Sequence, residues 1–302
     1  MKVFVAGGSG TIGVPLVRAL AAAGHQVIAL TRSARKQDEL HALGVSVAVA
    51  DALNRDALTA VVRDARPTHV VHQLTALPKD GPRRASDLEP TNRLRIDGTR
   101  NLLDAAVSAG AERFLVGSFA PLSPRGPARP EPDDDASVAI RSMENQVLDA
   151  TRRGLIEGIV LRYGLFYGLE TPSTVAMIEM VRKRRLPVVR GDAGQLPVIH
   201  VEDAVNATVR ALEVARPGAL YDIVDDRAVS LTEIVETIAE FTGSPAPLRV
   251  PAWLPRLVAP YMARMTSIQM PLSNADAKLE LGWRPHYPTM RDGLAQILRQ
   301  AA

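Results

Sequence analysis

The sequence predicts an α/β fold, a doubly wound parallel sheet with a smaller, mostly helical lobe towards its C-terminal end. Three observations predict it. Short apolar runs alternate with stretches of helical spacing through the first half of the chain. Those runs are apolar throughout, as strands covered on both faces are, and not alternately polar. After Tyr167 the alternation gives way to helical segments punctuated by proline.

Residues 2–6 read as the first strand, and residues 11–23 as a helix that stops at Gly24. Residues 26–30, 45–50, 68–74, 113–118 and 157–161 read as further strands. Helical spacing fills 36–43, 55–65, about 89–109 and about 141–153. Strands and helices in this order build a parallel sheet with helices on both faces. Residues 174–185 are helical again, 197–200 form a short strand and 203–214 a helix. Residues 221–224 can return to the sheet, and from Ser230 onward the pattern is mostly helical. Residues 121–135, rich in Pro, Arg and Asp, read as a loop. It follows a strand end, where α/β folds place their active-site loops.

Composition narrows the function. The 302 residues suffice for one large α/β domain and a smaller lobe. With 46% hydrophobic and 23% charged residues, the chain can bury a core and is not of disordered type. The absence of cysteine excludes disulfides, thiolate zinc sites and cysteine nucleophiles. The first residues already read as a strand, so no signal peptide is expected. No run of about 18 uncharged apolar residues predicts a membrane span. The expected location is cytoplasmic. A net charge of +3 offers little to a polyanion. The cluster Arg182, Lys183, Arg184, Arg185 has no interleaved aromatic residues and reads as the solvated end of a surface helix. No nucleic-acid, membrane or metal partner is expected.

The strongest motif is Gly7-Gly8-Ser9-Gly10-Thr11-Ile12-Gly13, set between the first strand and the first helix. Gly7 allows the tight turn, Gly10 lets the backbone approach a pyrophosphate, and Gly13 lets the helix pack on the sheet. The free N–H groups at the helix start, with Thr11 and Ile12, then face the phosphates. This is a Rossmann-type dinucleotide site. The end of the second strand reads Leu30-Thr31-Arg32-Ser33-Ala34-Arg35-Lys36. It has no acid to hold two ribose hydroxyls, and Arg32 stands ready for a 2′-phosphate, with Arg35 or Lys36 assisting. The expected cofactor is therefore NADPH. Residues 1–168, joined by about 197–225, form the expected NADP-binding domain. Residues 169–196 and 226–302 form the expected substrate-binding lobe.

With these residues in place the chain resembles the short-chain dehydrogenase/reductase superfamily. The closest branch is the extended or atypical one, which contains NAD-dependent epimerases and dehydratases. Val70 to Thr75, Ile96 to Leu103, Leu161 to Gly168, His200 to Asp203 and Leu281 to Pro285 carry the resemblance over nearly the whole chain. It implies cofactor contacts from Asp51 and Ala52 after the third strand and from Gln73, Leu74 and Thr75 after the fourth. It implies contacts from Ser118, Tyr163 and Leu165 near the nicotinamide. It also implies a monomer or homodimer, since helices near 89–109 and 141–153 often pair in this superfamily.

The catalytic signature departs from the family. Members carry Tyr-x-x-x-Lys, in which tyrosine moves a proton and lysine lowers its pKa. Aligning on Glu144 puts Ala136 at the tyrosine and Ile140 at the lysine. Phe119 falls on the family's Ser/Thr position, one residue past Ser118, and Arg95 replaces a usual asparagine. Hydride delivery itself needs only a carbonyl aligned with the nicotinamide. The proton can then come from Ser118, from Tyr163, or from the substrate's own phenol beside the ketone. His72 reads as a packed strand histidine and His200 as a structural turn residue.

The profile points to an NADPH-dependent ketone reductase for an apolar, aromatic or polyketide-like small molecule. It is similar to that of tailoring ketoreductases of aromatic polyketides such as angucyclinones. A non-catalytic NADPH sensor is the alternative, and a sugar-nucleotide epimerase or dehydratase a third. The segment 251–265, with Met262, Met265 and nearby Met270, either caps a large apolar pocket or forms an ordinary core helix.

Overall fold

The computed structural model describes residues 1–78, 81–122, 134–191, 194–251, 253–258 and 272–300. Seven strands form one parallel sheet: β1 (Lys2–Ala6), β2 (Gln26–Thr31), β3 (Ser46–Val49), β4 (His69–His72), β5 (Arg113–Phe119), β6 (Glu157–Tyr163) and, closing one edge, Leu220–Ile223. In space the order runs from Leu220–Ile223 through β6, β5, β4, β1 and β2 to β3. The direction of winding reverses between β1 and β4, which opens a crevice at the strands' carboxyl ends. The expected α/β class and doubly wound sheet are therefore present, and residues near 221–224 do return to the sheet.

Helices cover both faces because both faces are apolar. On one side lie α1 (Gly13–Ala22) and the long helix Val201–Val214, burying Leu16, Leu20, Val205 and Leu212. On this same side lies α2 (Gln37–His41), which abuts β3 and adds Leu40 to the cluster; on the other lies α3 (Arg55–Ala65), started by Asn54, whose side chain accepts from the Ala57 N–H. Next come α4 (Glu89–Arg93), α5 (Thr99–Ser108) and α6 (Asp135–Arg152). This second face buries Leu58, Leu102, Val147 and Phe114. A third apolar cluster gathers Ile178, Val188, Ile234, Ile238, Leu294 and Ile297. It is built by α7 (Pro172–Arg182), β8 (Val188–Val189), the helix Leu231–Phe241 and the helix Met290–Gln300.

Local structure departs from the sequence expectation in four places. The fourth strand stops at His72, because the Leu74 N–H turns back to donate to His72 Nδ1 at 3.2 Å. The helix expected over 89–109 contains a π turn at Leu94–Gly98, which widens it around Arg95. The helix expected from 141 begins at Asp135, because the Asp134 carboxylate caps it by accepting from the Ser137 N–H at 2.8 Å. The helix expected to 185 ends at Arg182, and Arg184 adopts a left-handed φ of 52°. The expected loop at 121–135 falls largely, and the expected pocket cap at 251–265 with Met270 mostly, outside the described residues.

Candidate cofactor and substrate site

The glycine loop follows β1 directly. Gly7 has a φ of 91°, and a Cβ there would stand 2.6 Å from the Gln73 carbonyl oxygen. A side chain at Gly13 would overlap the Gly7 carbonyl itself. The Gly10 N–H donates to that carbonyl at 2.9 Å and closes the turn. Backbone and helix therefore approach as closely as a pyrophosphate cradle requires. The residues present fit a dinucleotide. Thr11 is exposed at the helix start, and Ile12 is buried beneath it.

Past β2, Arg32 is exposed and Ser33 half-buried, with the Ser33 N–H donating to Thr31 Oγ1 at 3.2 Å. Lys36 turns inward, and its Nζ donates to the Ser9 carbonyl at 3.0 Å. The ammonium is thus fastened to the glycine loop, next to Ser9 and Thr31, whose hydroxyls lie 3.4 Å apart. Asp51 turns its carboxylate on its own chain, accepting from the Leu53 N–H at 2.9 Å. Ala52 is buried, and its carbonyl accepts from Asn101 Nδ2 at 3.0 Å.

After β4, the Gln73 N–H continues the ladder to Ala6 O at 2.8 Å. Leu74 is half-buried and Thr75 exposed. His72 accepts at Nδ1, so its Nε2 carries the proton and donates to Thr99 Oγ1 at 3.0 Å. Burial lowers its pKa to about 4, with the Arg95 guanidinium adding to the effect. His72 is a neutral, packed histidine.

Tyr163 ends β6 inside the core. Gln73 Nε2 donates to its hydroxyl at 3.0 Å. Thr208 gives its own proton to the Ala204 carbonyl at 2.6 Å, so Thr208 Oγ1 accepts from Tyr163 at 2.7 Å. Burial pushes the Tyr163 phenol up to about 12. Leu165 lies one residue beyond the β6 turn, on β7 (Leu165–Tyr167), with its N–H on the Pro197 carbonyl at 2.8 Å.

Ser118 sits at the end of β5 and donates to Glu144 Oε1 at 2.6 Å. Glu144, from α6, also receives Arg162 Nε at 2.9 Å and Arg162 Nη2 at 2.6 Å. All three side chains are buried. Ala136 and Ile140 lie on the same helix, two turns and one turn earlier in its course. Both are buried and pack with Leu88, and Phe119 leans on the group. The two positions that the sequence sets against the family's tyrosine and lysine thus fall in one apolar cluster. Arg95 is buried nearby and donates to Asn92 Oδ1 at 3.2 Å.

Sequence reasoning used Glu144 only as an alignment anchor and missed its pairing with Arg162. A signal existed: an acid on an apolar helix face and an arginine inside an apolar strand each need a partner. Thr208 carried no such signal. It is an ordinary helix threonine until the fold sets it against Tyr163. His200 caps the helix Val201–Val214 and lies between Tyr167 and Tyr287, with ring centroids at 5.1 and 4.2 Å. Among the described residues no group of His, Cys, Asp and Glu is arranged to hold a metal. No described helix is long and apolar enough to cross a membrane.

The sequence profile of the NAD dependent epimerase/dehydratase family matches residues 3–224. The chain belongs to this family. It is 38% identical to a 3-diazoavenalumate denitrifying reductase from a Streptomyces species, over 98% of this chain and all of that one. It is 27% identical to the 4-hydroxy-2-methyl-3-oxo-4-farnesyl-3,4-dihydroquinoline-1-oxide ketoreductase of Stigmatella aurantiaca, over 80% of this chain and 74% of that one. The fold is that of Thermus thermophilus UDP-glucose 4-epimerase, solved with NAD, at a TM-score of 0.79 and 23% identity over 99% and 98% of the two chains. This family member groups with reductases, hence with oxidoreductases, and its loop is built for a nicotinamide dinucleotide.

Proposed function

We propose that this family member is an NADPH-dependent reductase whose reaction takes no proton from the protein. One observation carries the reading. Ala136 and Ile140, at the positions of the family's acid and its lysine, are buried with Leu88 in an apolar wall. A bound reduced nicotinamide supplies hydride. The glycine loop would hold the pyrophosphate, and Lys36 and Arg32 would meet a 2′-phosphate. Packed in this way, neither Ala136 nor Ile140 can give a proton to a substrate. The Ser118 proton is committed to Glu144 and the Tyr163 proton to Thr208, so both residues shape the floor of the site. The lobe formed by 169–196 and 226–302 would close over the substrate.

The first substrate class is a ketone beside a phenol, in which an internal hydrogen bond meets the alkoxide as it forms. The quinoline-oxide ketoreductase, whose substrate by its name carries a hydroxyl on the carbon next to the ketone, supports a ketone with a neighbouring hydroxyl. The second class is an arenediazonium, favoured by the denitrifying reductase at 38% identity. There, hydride replaces dinitrogen: a C–H bond forms, the C–N bond breaks with its electrons leaving on N2, and the cofactor is oxidised. No proton enters this balance. Ile140 in place of lysine also removes an ammonium that would repel the cationic substrate.

The test is anaerobic single turnover with NADPH deuterated at C4, against phenolic quinones and arenediazonium salts. Deuterium on a carbinol carbon identifies the ketone class. Deuterium on the ring with release of N2 identifies the diazonium class. Tight NADPH binding without oxidation by either class would overturn the reading and leave the sensor.

A further inference from the structure

Three neighbouring strands of the sheet end beside the glycine loop, and one side chain crosses them. Gln73, the first residue past β4, reaches over Gly117 of β5 to Tyr163 at the end of β6, where its Nε2 donates to the phenol oxygen at 3.0 Å. The crossing needs a glycine. A Cβ on Gly117 would stand 2.2 Å from Gln73 Oε1 and 2.9 Å from Tyr163 Cε2. The backbone of Gln73 meanwhile touches the cofactor loop. Its N–H is on the Ala6 carbonyl at 2.8 Å, and its carbonyl oxygen lies 2.6 Å from where a Gly7 Cβ would stand.

The order of protons along this chain fixes which way the amide faces. Thr208 has one hydroxyl proton, and the Ala204 carbonyl takes it at 2.6 Å. Thr208 Oγ1 can then only accept from Tyr163, at 2.7 Å. With its proton so committed, the phenol oxygen can only accept, and it faces the Gln73 N–H. Gln73 Oε1 is therefore turned away from Tyr163. Among the described residues no N–H or O–H donates to it. Gln73 is half-buried, and Oε1 is not among the polar atoms sealed in the interior. An oriented acceptor is thus left at the carboxyl ends of β4 and β5, where the crevice opens.

An acceptor with no donor from the protein calls for one on the ligand. The strand order says which part of a dinucleotide would meet it. Arg32 and Lys36 follow β2, on one side of β1, and Gln73 follows β4, on the other. With the 2′-phosphate on the β2 side, the cofactor runs from the pyrophosphate towards β4. The first group it meets there is the nicotinamide ribose, which carries two O–H donors. We propose that Gln73 Oε1 accepts from a hydroxyl of the nicotinamide ribose, and that Tyr163 and Thr208 are positioning residues that hold the amide in this sense. The inference rests on the dinucleotide reading and is independent of the choice of substrate.

Calorimetric titration of the full chain with three ligands tests it. NADPH carries the ribose and the ring, ADP-ribose 2′-phosphate keeps the ribose and lacks the ring, and adenosine 2′,5′-bisphosphate lacks both. Gln73→Leu should weaken the first two by about three- to tenfold, the worth of one hydrogen bond, and leave the third unchanged. Thr208 is fully buried, so Thr208→Val acts only through its neighbours. It frees the Tyr163 proton to turn on Gln73, which reverses the amide and sets an N–H towards the crevice. It should reproduce the Gln73→Leu pattern, Thr208→Ser should restore wild-type binding, and the double variant should lose no more than either alone. Gln73→Leu carries the test if Thr208→Val does not fold. An equal loss for all three ligands would make Gln73 a brace of the loop, and a loss for NADPH alone would make the ring its partner. Either result, or no loss at all, overturns the proposal while the cofactor reading stands. A wild-type chain that binds neither NADPH nor NADH would overturn both.

Discussion

Arg162 clamps Glu144 through two hydrogen bonds, at 2.9 and 2.6 Å, and so ties the end of β6 to α6 beneath Ser118. The pair is buried, and a buried pair is costly to break from one side. Glu144→Ala leaves the guanidinium without its carboxylate and should cost about 3–5 kcal/mol in chemical denaturation. Ser118→Ala removes one charge-assisted bond and should cost about 1–3 kcal/mol. Its single-turnover rate should stay within about threefold, since Ser118 gives its proton to Glu144 and not to substrate. A collapse of the rate to background in a folded Ser118→Ala would return the proton to that serine.

Lys36 and Arg32 should separate the two nicotinamide cofactors. Losing one charged hydrogen bond costs about 1.5–3 kcal/mol, or roughly tenfold or more in Kd. Lys36→Ala and Arg32→Ala should each weaken NADPH by this factor and leave NADH nearly unchanged in a fluorescence titration. An equal loss for both cofactors would mean that these side chains merely brace the loop.

Gly13→Ala should remove cofactor binding of either kind. The added methyl overlaps the Gly7 carbonyl, so the helix must move from the sheet. Calorimetric titration should give no measurable heat with either cofactor, while circular dichroism keeps the α/β signature.

Three buried groups set opposing pH slopes. Burial raises Asp225 to about 8, with the Tyr167 hydroxyl and Asp203 nearby. The folded state then holds a proton that the unfolded chain releases near pH 4, so stability from this group falls as pH rises from about 4 through 8. Burial lowers His72 and His200 to about 4. Their contribution is complete above the unfolded value near 6.5 and is lost as pH falls through about 4. Together they place the maximum near pH 6.5. Asp225→Asn copies the neutral acid and should keep the plateau to pH 9, a gain on the order of a few kcal/mol there. Thermal melts across pH check it, and an unchanged alkaline slope would count against a protonated Asp225.

Strand identity was legible because a doubly covered strand is apolar at every position. Val3 to Ala6 and Phe114 to Val116 read the same in sequence and in burial. The cofactor loop was legible because Gly7 and Gly13 answer to steric limits that a side chain would break. The start of α6 was not, because a capping Asp134 looks like any loop aspartate until a helix grows from it. Nor was the chain Gln73–Tyr163–Thr208, whose members lie 90 and 45 residues apart. Sequence periodicity records which face a residue takes, and says nothing about which distant residue shares it. The absence of tyrosine and lysine was plain from spacing. That Ala136 and Ile140 close on Leu88 as a packed wall was not.

That packing has a consequence for reversal by mutation. Restoring the family's acid takes two substitutions, and each alone is penalised. Ala136→Tyr forces a ring into a filled space, and Ile140→Lys buries an ammonium without a counter-ion. Neither intermediate gains proton transfer, because the phenol works only beside the lysine. A single substitution in this packed cluster therefore does not bring the donor back, and the reaction proposed above is confined to electrophiles that can do without one.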